Sequence, residues 1–284
     1  MPIAYDVVGF GEASIDEVWR LPPGLALGDK DRARGRDRLG GGQVATALVA
    51  AARLGARAAY LGPIGDDAVG AEIVRGLADD HVMSLAIPLA ARSRTALVLV
   101  ASDGDRTVVE DGGVSHASRP ALPESRALHV DGTYLRASLE LAREAKARGM
   151  LVSIDLDFVA DADGARELVA LADLCVLSEG IAERFGGLLA VPTAGLCAES
   201  RGPRGLVARL DGALVELPAF PVDVVDTTAC GDTLRGALVV AWLDGRRDRD
   251  ALRYASAAAA LKCRDLGRRG CPTRTEVEAL LTAT

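Results

Sequence analysis

Short apolar runs alternate with Ala- and Leu-rich stretches of helical spacing along most of this chain, and that alternation restricts the fold more than any single residue does. Strands are read at Tyr5 to Gly9, Ala56 to Leu61, Leu128 to Asp131, Leu151 to Asp155 and Leu174 to Leu177. Helical spacing runs over 44–54, 71–78, 136–148, 164–172, 248–262 and 273–282. Such a βα repeat predicts a mainly parallel sheet covered by helices on both faces. A chain of 284 residues suffices for one large domain, and 49% hydrophobic residues suffice for a full core. Aromatics are only 4%, so Ala, Val and Leu must fill that core.

Two regions interrupt the alternation. Residues 28–38 read Gly-Asp-Lys-Asp-Arg-Ala-Arg-Gly-Arg-Asp-Arg, and an extended backbone puts Lys30, Arg32, Arg34, Arg36 and Arg38 on one face. An edge strand protected by charge is the favoured reading; an anion-binding lid is the alternative. Thr95 to Ala101 and Arg106 to Glu110 predict a hairpin turning at Ser102-Asp103-Gly104-Asp105. That hairpin is expected to join the strand at 30–38 in a small separate sheet. A second hairpin is read at 205–217 around Asp211-Gly212.

Several function classes are disfavoured. A net charge of −7 weighs against general nucleic-acid binding. No apolar run is long enough for a membrane span, and the first residues show no secretory signal. Cys175, Cys197, Cys230, Cys263 and Cys271 are widely spaced without a Cys-x-x-Cys, which suits reduced thiols in a cytoplasm. His81, His116 and His129 have no metal-ligand spacing. Gly9-x-Gly11-x-x-Ser14 lacks the third Gly of a dinucleotide fingerprint, and no P-loop motif occurs.

The stretch 222–244 carries the chemistry. Val222, Val224 and Val225 read as the end of a buried strand, and Asp226 to Gly231 as a turn of small residues. From Asp232 the spacing is helical, with Leu234, Leu238, Ala241 and Trp242 on one face. A short turn entering a helix presents free N–H groups at the positive end of the helix dipole, a ready anion site. Asp232 at its mouth reads either as a helix cap or as a general base. Cys230 reads as a reactive thiol or as a buried, inert one. Asp16 lies just past the first strand, where open α/β sheets bind ligands, and its alternative is an ordinary turn carboxylate. Gly40-Gly41-Gly42-Gln43 would let a ligand approach the backbone before a helix stopped by Gly55.

Three segments, in order and spacing, resemble the ribokinase-like (PfkB) carbohydrate kinases over essentially the whole chain. They are Gly41-Gly42 with its helix and Gly62-x-x-Gly65-Asp66-Asp67-x-x-Gly70; Asp226-Thr227-Thr228-Ala229-Cys230-Gly231-Asp232; and Ala257–Lys262 with Gly270-x-Pro272-Thr273. Ala-Leu-Lys-Cys-Arg in the tail and Leu177-Ser178-Glu179 look closest to the ketohexokinase and sulfofructose kinase branch. The resemblance implies a three-layer α/β fold forming a single domain over 1–284, with a small β-sheet lid from roughly 13–38 and 92–112.

It further implies an ATP-dependent phosphotransferase acting on a hydroxyl of a small sugar or sugar-like molecule, ketose-type favoured. Asp232 matches the catalytic base, and the N–H groups of Ala229, Cys230, Gly231 and Asp232 match the anion hole. Asp16, Gly41 and Gly42 match sugar-binding positions, with Gln43 and Thr46 beside them; Thr46 stands where the family has Asn. Ser200-x-Gly202-x-x-Gly205 and Thr227 match the nucleotide side. Glu179 and Asp226 are candidate metal residues, with Ser178-Glu179-Gly180-Ile181 in place of the family's Asn-x-x-Glu. Mg²⁺ accompanies ATP in the family, many members need a monovalent cation such as K⁺ near the anion hole, and a homodimer through the lid is a candidate assembly. The competing readings are a nucleoside kinase of the same fold and a non-catalytic sugar-binding protein. The signature Gly-Ala is Ala229-Cys230 here, which keeps both N–H groups but sets Ala where positive φ is expected.

Overall fold

The computed structural model describes residues 3–25, 28–101, 106–157, 161–193 and 195–283, without the side chains of 268 and 269. β1 (Tyr5–Phe10) is followed by β2 (Ser14–Arg20), β3 (Gly35–Gly41) and helix α1 (Gln43–Arg53). β4 (Ala58–Tyr60) and β5 (Pro63–Gly65) lead to α2 (Ala68–Asp79). Asp67 caps α2 by accepting from Gly70 N at 2.7 Å, a contact worth about 1 kcal/mol. β6 (Met83–Ser84), β7 (Ile87–Leu89), β8 (Arg94–Val100) and β9 (Arg106–Asp111) precede β10 (Ser125–Val130) and α3 (Leu135–Ala147). β11 (Leu151–Leu156), α4 (Ala162–Ala170), β12 (Leu174–Leu177), β13 (Leu196–Ser200), β14 (Leu206–Leu210) and β15 (Ala213–Leu217) complete the strands. The chain closes with α5 (Cys230–Leu243), α6 (Asp248–Lys262) and α7 (Arg274–Ala283).

Nine strands form one sheet in the order β15–β14–β13–β12–β11–β10–β1–β4–β6. Its pairings are parallel from β13 through β6, and β14 and β15 add an antiparallel edge. Side chains alternate between two cores, as a twofold period requires. Leu174 and Val176 pack with residues of α1, α5 and α6, while Cys175 and Leu177 pack with α3 and α4. Three layers result, built largely of Ala, Val and Leu as the composition demands. The hairpin β14–β15 turns on Asp211 at φ 50 and Gly212 at φ 77, the two-residue geometry that such a pair favours.

β3–β2–β8–β9 form a second, four-stranded sheet. It differs from the expected arrangement in two ways. The basic stripe is extended only from Gly35, so Lys30, Arg32 and Arg34 precede the strand. The hairpin does not add to that strand: β8 pairs in parallel with β2, which lies between them. The hairpin's expected turn, 102–105, lies outside the described residues. Arg36 and Arg38 bond Glu17, and Arg38 also bonds Glu72, on the sheet face opposite Asp16. The edge-strand reading of these two arginines therefore holds.

Two further expectations are corrected. Residues 222–225 form no strand; Val224 and Val225 are exposed, because the segment crosses outside the main sheet on its way to α5. Pro63–Gly65, expected as a turn, pairs with β7. Among the described residues no helix is long and apolar enough to cross a membrane.

Candidate active site

Parallel strands end where the helix N-termini begin, so open edges of backbone converge there. At those ends lies a cavity of about 1000 Å³, facing the second sheet. β1 delivers Glu12 to it, β2 delivers Ser14 and Asp16, β11 delivers Asp157, β12 delivers Ser178, and β9 reaches in with Arg106, Val108 and Glu110. The alternation on β2 and β9 explains why even-numbered residues face inward.

Asp16 accepts from Ser14 Oγ at 2.8 Å. Gly41 lies directly beneath it: a Cβ there would come within 2.2 Å of an Asp16 oxygen. Gly42 has φ 88 and abuts the backbone of Ala13, so neither glycine admits a side chain. Gln43 opens α1 and hydrogen-bonds Asp157. Thr46 is buried inside α1 and does not reach the cavity.

Opposite them, Thr227 to Asp232 line the wall, with Ser200, Gly202 and Gly205 nearby. α5 begins at Cys230, two residues before the position expected from spacing. Ala229 caps it with φ 66, the left-handed conformation that the signature comparison anticipated for a non-glycine residue. Ala pays about 1–2 kcal/mol for that conformation. The turn is braced from behind: Asp226 accepts from Thr228 N at 2.8 Å and from Gly267 N at 2.8 Å. Burial pushes the Asp226 carboxyl up, but these N–H groups and Lys262 outweigh it and hold it below its ordinary range. Glu179 pairs with Arg204 outside the cavity lining.

Asp232 is half-buried in the first turn of α5. Burial and the Asp157 carboxylate push its pKa up to about 8, and Arg235 opposes them. Arg235, one turn further, is 2% exposed. Its Nε lies 2.9 Å from Asp155 Oδ1 and donates to Val176 O, and its Nη2 donates to Asp157 Oδ1 at 2.8 Å. A Cβ on Gly231 would come within 2.7 Å of Arg235 Nη1, so the guanidinium lies directly under the turn.

The two sheets are tied by Arg94, which pairs with Glu12 at 3.3 Å and with Glu110 at 3.2 Å. Burial raises Glu12 to about 7 against the pull of Arg94. Arg106 crosses from β9 to donate to Thr227 Oγ1. Cys230 Sγ and Cys263 Sγ lie 2.7 Å apart. Their hydrogen bond and burial raise Cys230, while the same bond pulls Cys263 down to about 7.

Of the residues singled out by sequence, Asp16, Gly42, Gln43, Ser200, Gly202, Gly205, Thr227, Ala229, Cys230, Gly231 and Asp232 share this cavity. Gly41, Thr46, Glu179 and Asp226 stand outside its lining. Sequence reading passed over Glu12, Arg106, Asp157 and Arg235. A strand-end carboxylate two residues past Asp155 was a usable signal for Asp157; a buried arginine in an amphipathic helix leaves none.

Fold and cavity together define an α/β protein with a small-ligand site at its strand ends. The pattern of the pfkB family carbohydrate kinases matches residues 5–275, and the chain belongs to that family, a family of phosphotransferases. It is 29% identical to a Haemophilus influenzae ribokinase over 265 residues, covering 83% of this chain and 85% of that protein. It is 30% identical to an ATP-dependent ribose-1-phosphate kinase of Halopiger xanaduensis over 271 residues, with 88% of each chain covered. Arabidopsis thaliana ribokinase complexed with ribose and ATP superposes with a TM-score of 0.78 at 23% identity, over 98% of this chain and 99% of that one.

Proposed function

We propose that this protein transfers the γ-phosphoryl group of ATP to a hydroxyl of a small sugar or sugar-like molecule, with a ketose-type substrate favoured. The observation that carries the reading is the pairing across one cavity of Asp16 with the Asp232 carboxylate at a helix N-terminus. The sugar lies against Asp16, Gly42 and Gln43, and the triphosphate against Ser200, Gly202, Gly205 and Thr227. Asp232 accepts the hydroxyl proton as oxygen attacks phosphorus. N–H groups of the 229–232 turn, at the positive end of α5, take up charge on the transferred phosphoryl, with Cys230 N also donating to Thr227 O at 3.3 Å. The four-stranded sheet serves as the lid of a single kinase domain, with Arg106 and Glu110 reaching down from it, and keeps water from the γ-phosphate.

Mg²⁺ enters this reading as a companion of the nucleotide. The donor set does not fit a protein-held ion: Asp226 is engaged by Thr228, Gly267 and Lys262, and Glu179 by Arg204. Among the described residues no three His, Cys, Asp or Glu side chains cluster for a metal.

The outer lid face carries Trp19, Leu97 and Val109, each more than a third exposed, and we propose it as the contact of a homodimer. Five free thiols support work in a reducing cytoplasm. ADP release measured across fructose, ribose, ribose 1-phosphate, deoxy-keto acids and nucleosides tests the function. Nucleosides alone as acceptors would replace the sugar reading with a nucleoside kinase, and ligand binding without any ADP release would replace it with a sugar-binding protein.

A further inference from the structure

Lys262 ends α6 and is 0% exposed. Its ammonium donates to three oxygens: Asp226 O at 2.9 Å, Asp265 O at 3.1 Å and Asp226 Oδ2 at 3.4 Å. These match the three donors a lysine has. The same junction holds the strap before α5. Val225 N and Asp226 N both donate to Cys263 O, at 2.7 and 3.1 Å, and Gly267 N donates to Asp226 Oδ2. The charge thus sits where 226–229 meets 263–267, at the carbonyl end of α6, where a cation is favoured.

Two backbone carbonyls and a carboxylate converging on one buried point are the ligands that strip water from an alkali cation of K⁺ size. The resemblance to the family implies such an ion near the anion hole. Here the same oxygens are already taken by an ammonium, and a K⁺ among them would lie in direct contact with a like charge. The residues present do not fit the ion.

We propose that Lys262 is a tethered replacement for a monovalent cation, holding the 226–229 turn in place so that this protein needs no K⁺. Lys262 is a positioning residue: it touches the turn, not the substrate. The inference rests on the kinase reading only for its activity readout.

The test compares the full-length protein with Lys262→Ala in choline chloride and in 100 mM KCl, NaCl or LiCl. Three quantities are read: melting temperature, ADP affinity by calorimetry, and ADP release with the best accepted sugar. The wild type should differ by less than twofold between choline and K⁺. Lys262→Ala should bind ADP and turn over at least fivefold less well in choline. K⁺ should restore it and raise its melting temperature, with Li⁺ ineffective. A variant that folds only in K⁺ gives the same answer. Wild-type turnover or ADP binding that collapses without K⁺ overturns the proposal whatever the variant does. So does a variant indifferent to the cation, or one unfolded in every salt. If no sugar is phosphorylated, the kinase reading fails while melting and ADP binding still decide the role of Lys262.

Discussion

Arg235 Nη2 lies 2.8 Å from Asp157 Oδ1, one turn of α5 beyond Asp232. Burial and Asp157 raise Asp232, with Glu12 and Asp16 adding to the same side, while Arg235 acts against them. The two neighbours should therefore move the acidic limb of kcat/KM in opposite directions. Arg235→Gln should shift it to higher pH and Asp157→Asn to lower pH, each by about one unit. The double variant should return close to the parent. Equal losses at every pH, without compensation, would leave Arg235 with a packing role only.

Asp232→Asn separates base from cap. Asn caps a helix as well as Asp, so a cap predicts near-normal turnover. Loss of a positioned base should cost about 10²–10⁴-fold in kcat, with ATP affinity held below about pH 8, where Asp232 keeps its proton, and tightened above it as repulsion falls. Stability should respond too. Folded, Asp232 keeps its proton up to about pH 8; unfolded, it releases it near 3.8. The folded chain binds more protons in that window, so this group's contribution to stability falls as pH rises through it. The melting temperature of Asp232→Asn should therefore exceed the parent's by a margin that widens from pH 5 to pH 8.

Ala229→Gly should stabilise the protein. Relief of φ 66 is worth about 1–2 kcal/mol, less about 0.4–1 kcal/mol for the added freedom of the unfolded chain. Urea midpoints decide the sign. A destabilised Ala229→Gly would mean that the methyl group packs usefully against its neighbours.

Cys263 should be alkylated before Cys230 at pH 7.5, because its thiol is drawn down to about 7 while Cys230 is raised. ADP should slow the reaction, since both thiols line the cavity. Peptide mapping after brief iodoacetamide treatment gives the order, and initial labelling at Cys230 would reverse the assignment.

Arg36→Gln with Arg38→Gln should leave KM for every accepted substrate within about twofold, since both arginines bond Glu17 on the face away from Asp16. A salt-dependent rise in KM would bring them back as substrate contacts.

Much of this architecture could be read before any coordinates. βα alternation announces the parallel sheet, Asp211-Gly212 announces its hairpin, and the small residues from Asp226 announce the turn into α5. Pairing across the second sheet could not be read, because β8 joins β2 only after 73 intervening residues, 21–93. Val222, Val224 and Val225 misled for a related reason: a valine-rich segment looks like a strand wherever it lies, and only the course of the chain shows Val224 and Val225 exposed and Val222 half-buried beside the cavity. Arg235 was hidden because a charged side chain on a helix ordinarily marks the wet face, whereas Asp155 and Asp157 draw this one inward.

The brace behind the 226–229 turn also fixes an order of events during synthesis. Asp226 waits for Gly267, 41 residues downstream, and for Lys262, 36 residues downstream. The main sheet is complete by Leu217, so the scaffold leaves the ribosome first. A nascent chain that has emerged only to the end of α5 has its walls but no anchored turn, and acquires a finished site only when the tail after α6 is free to close on it.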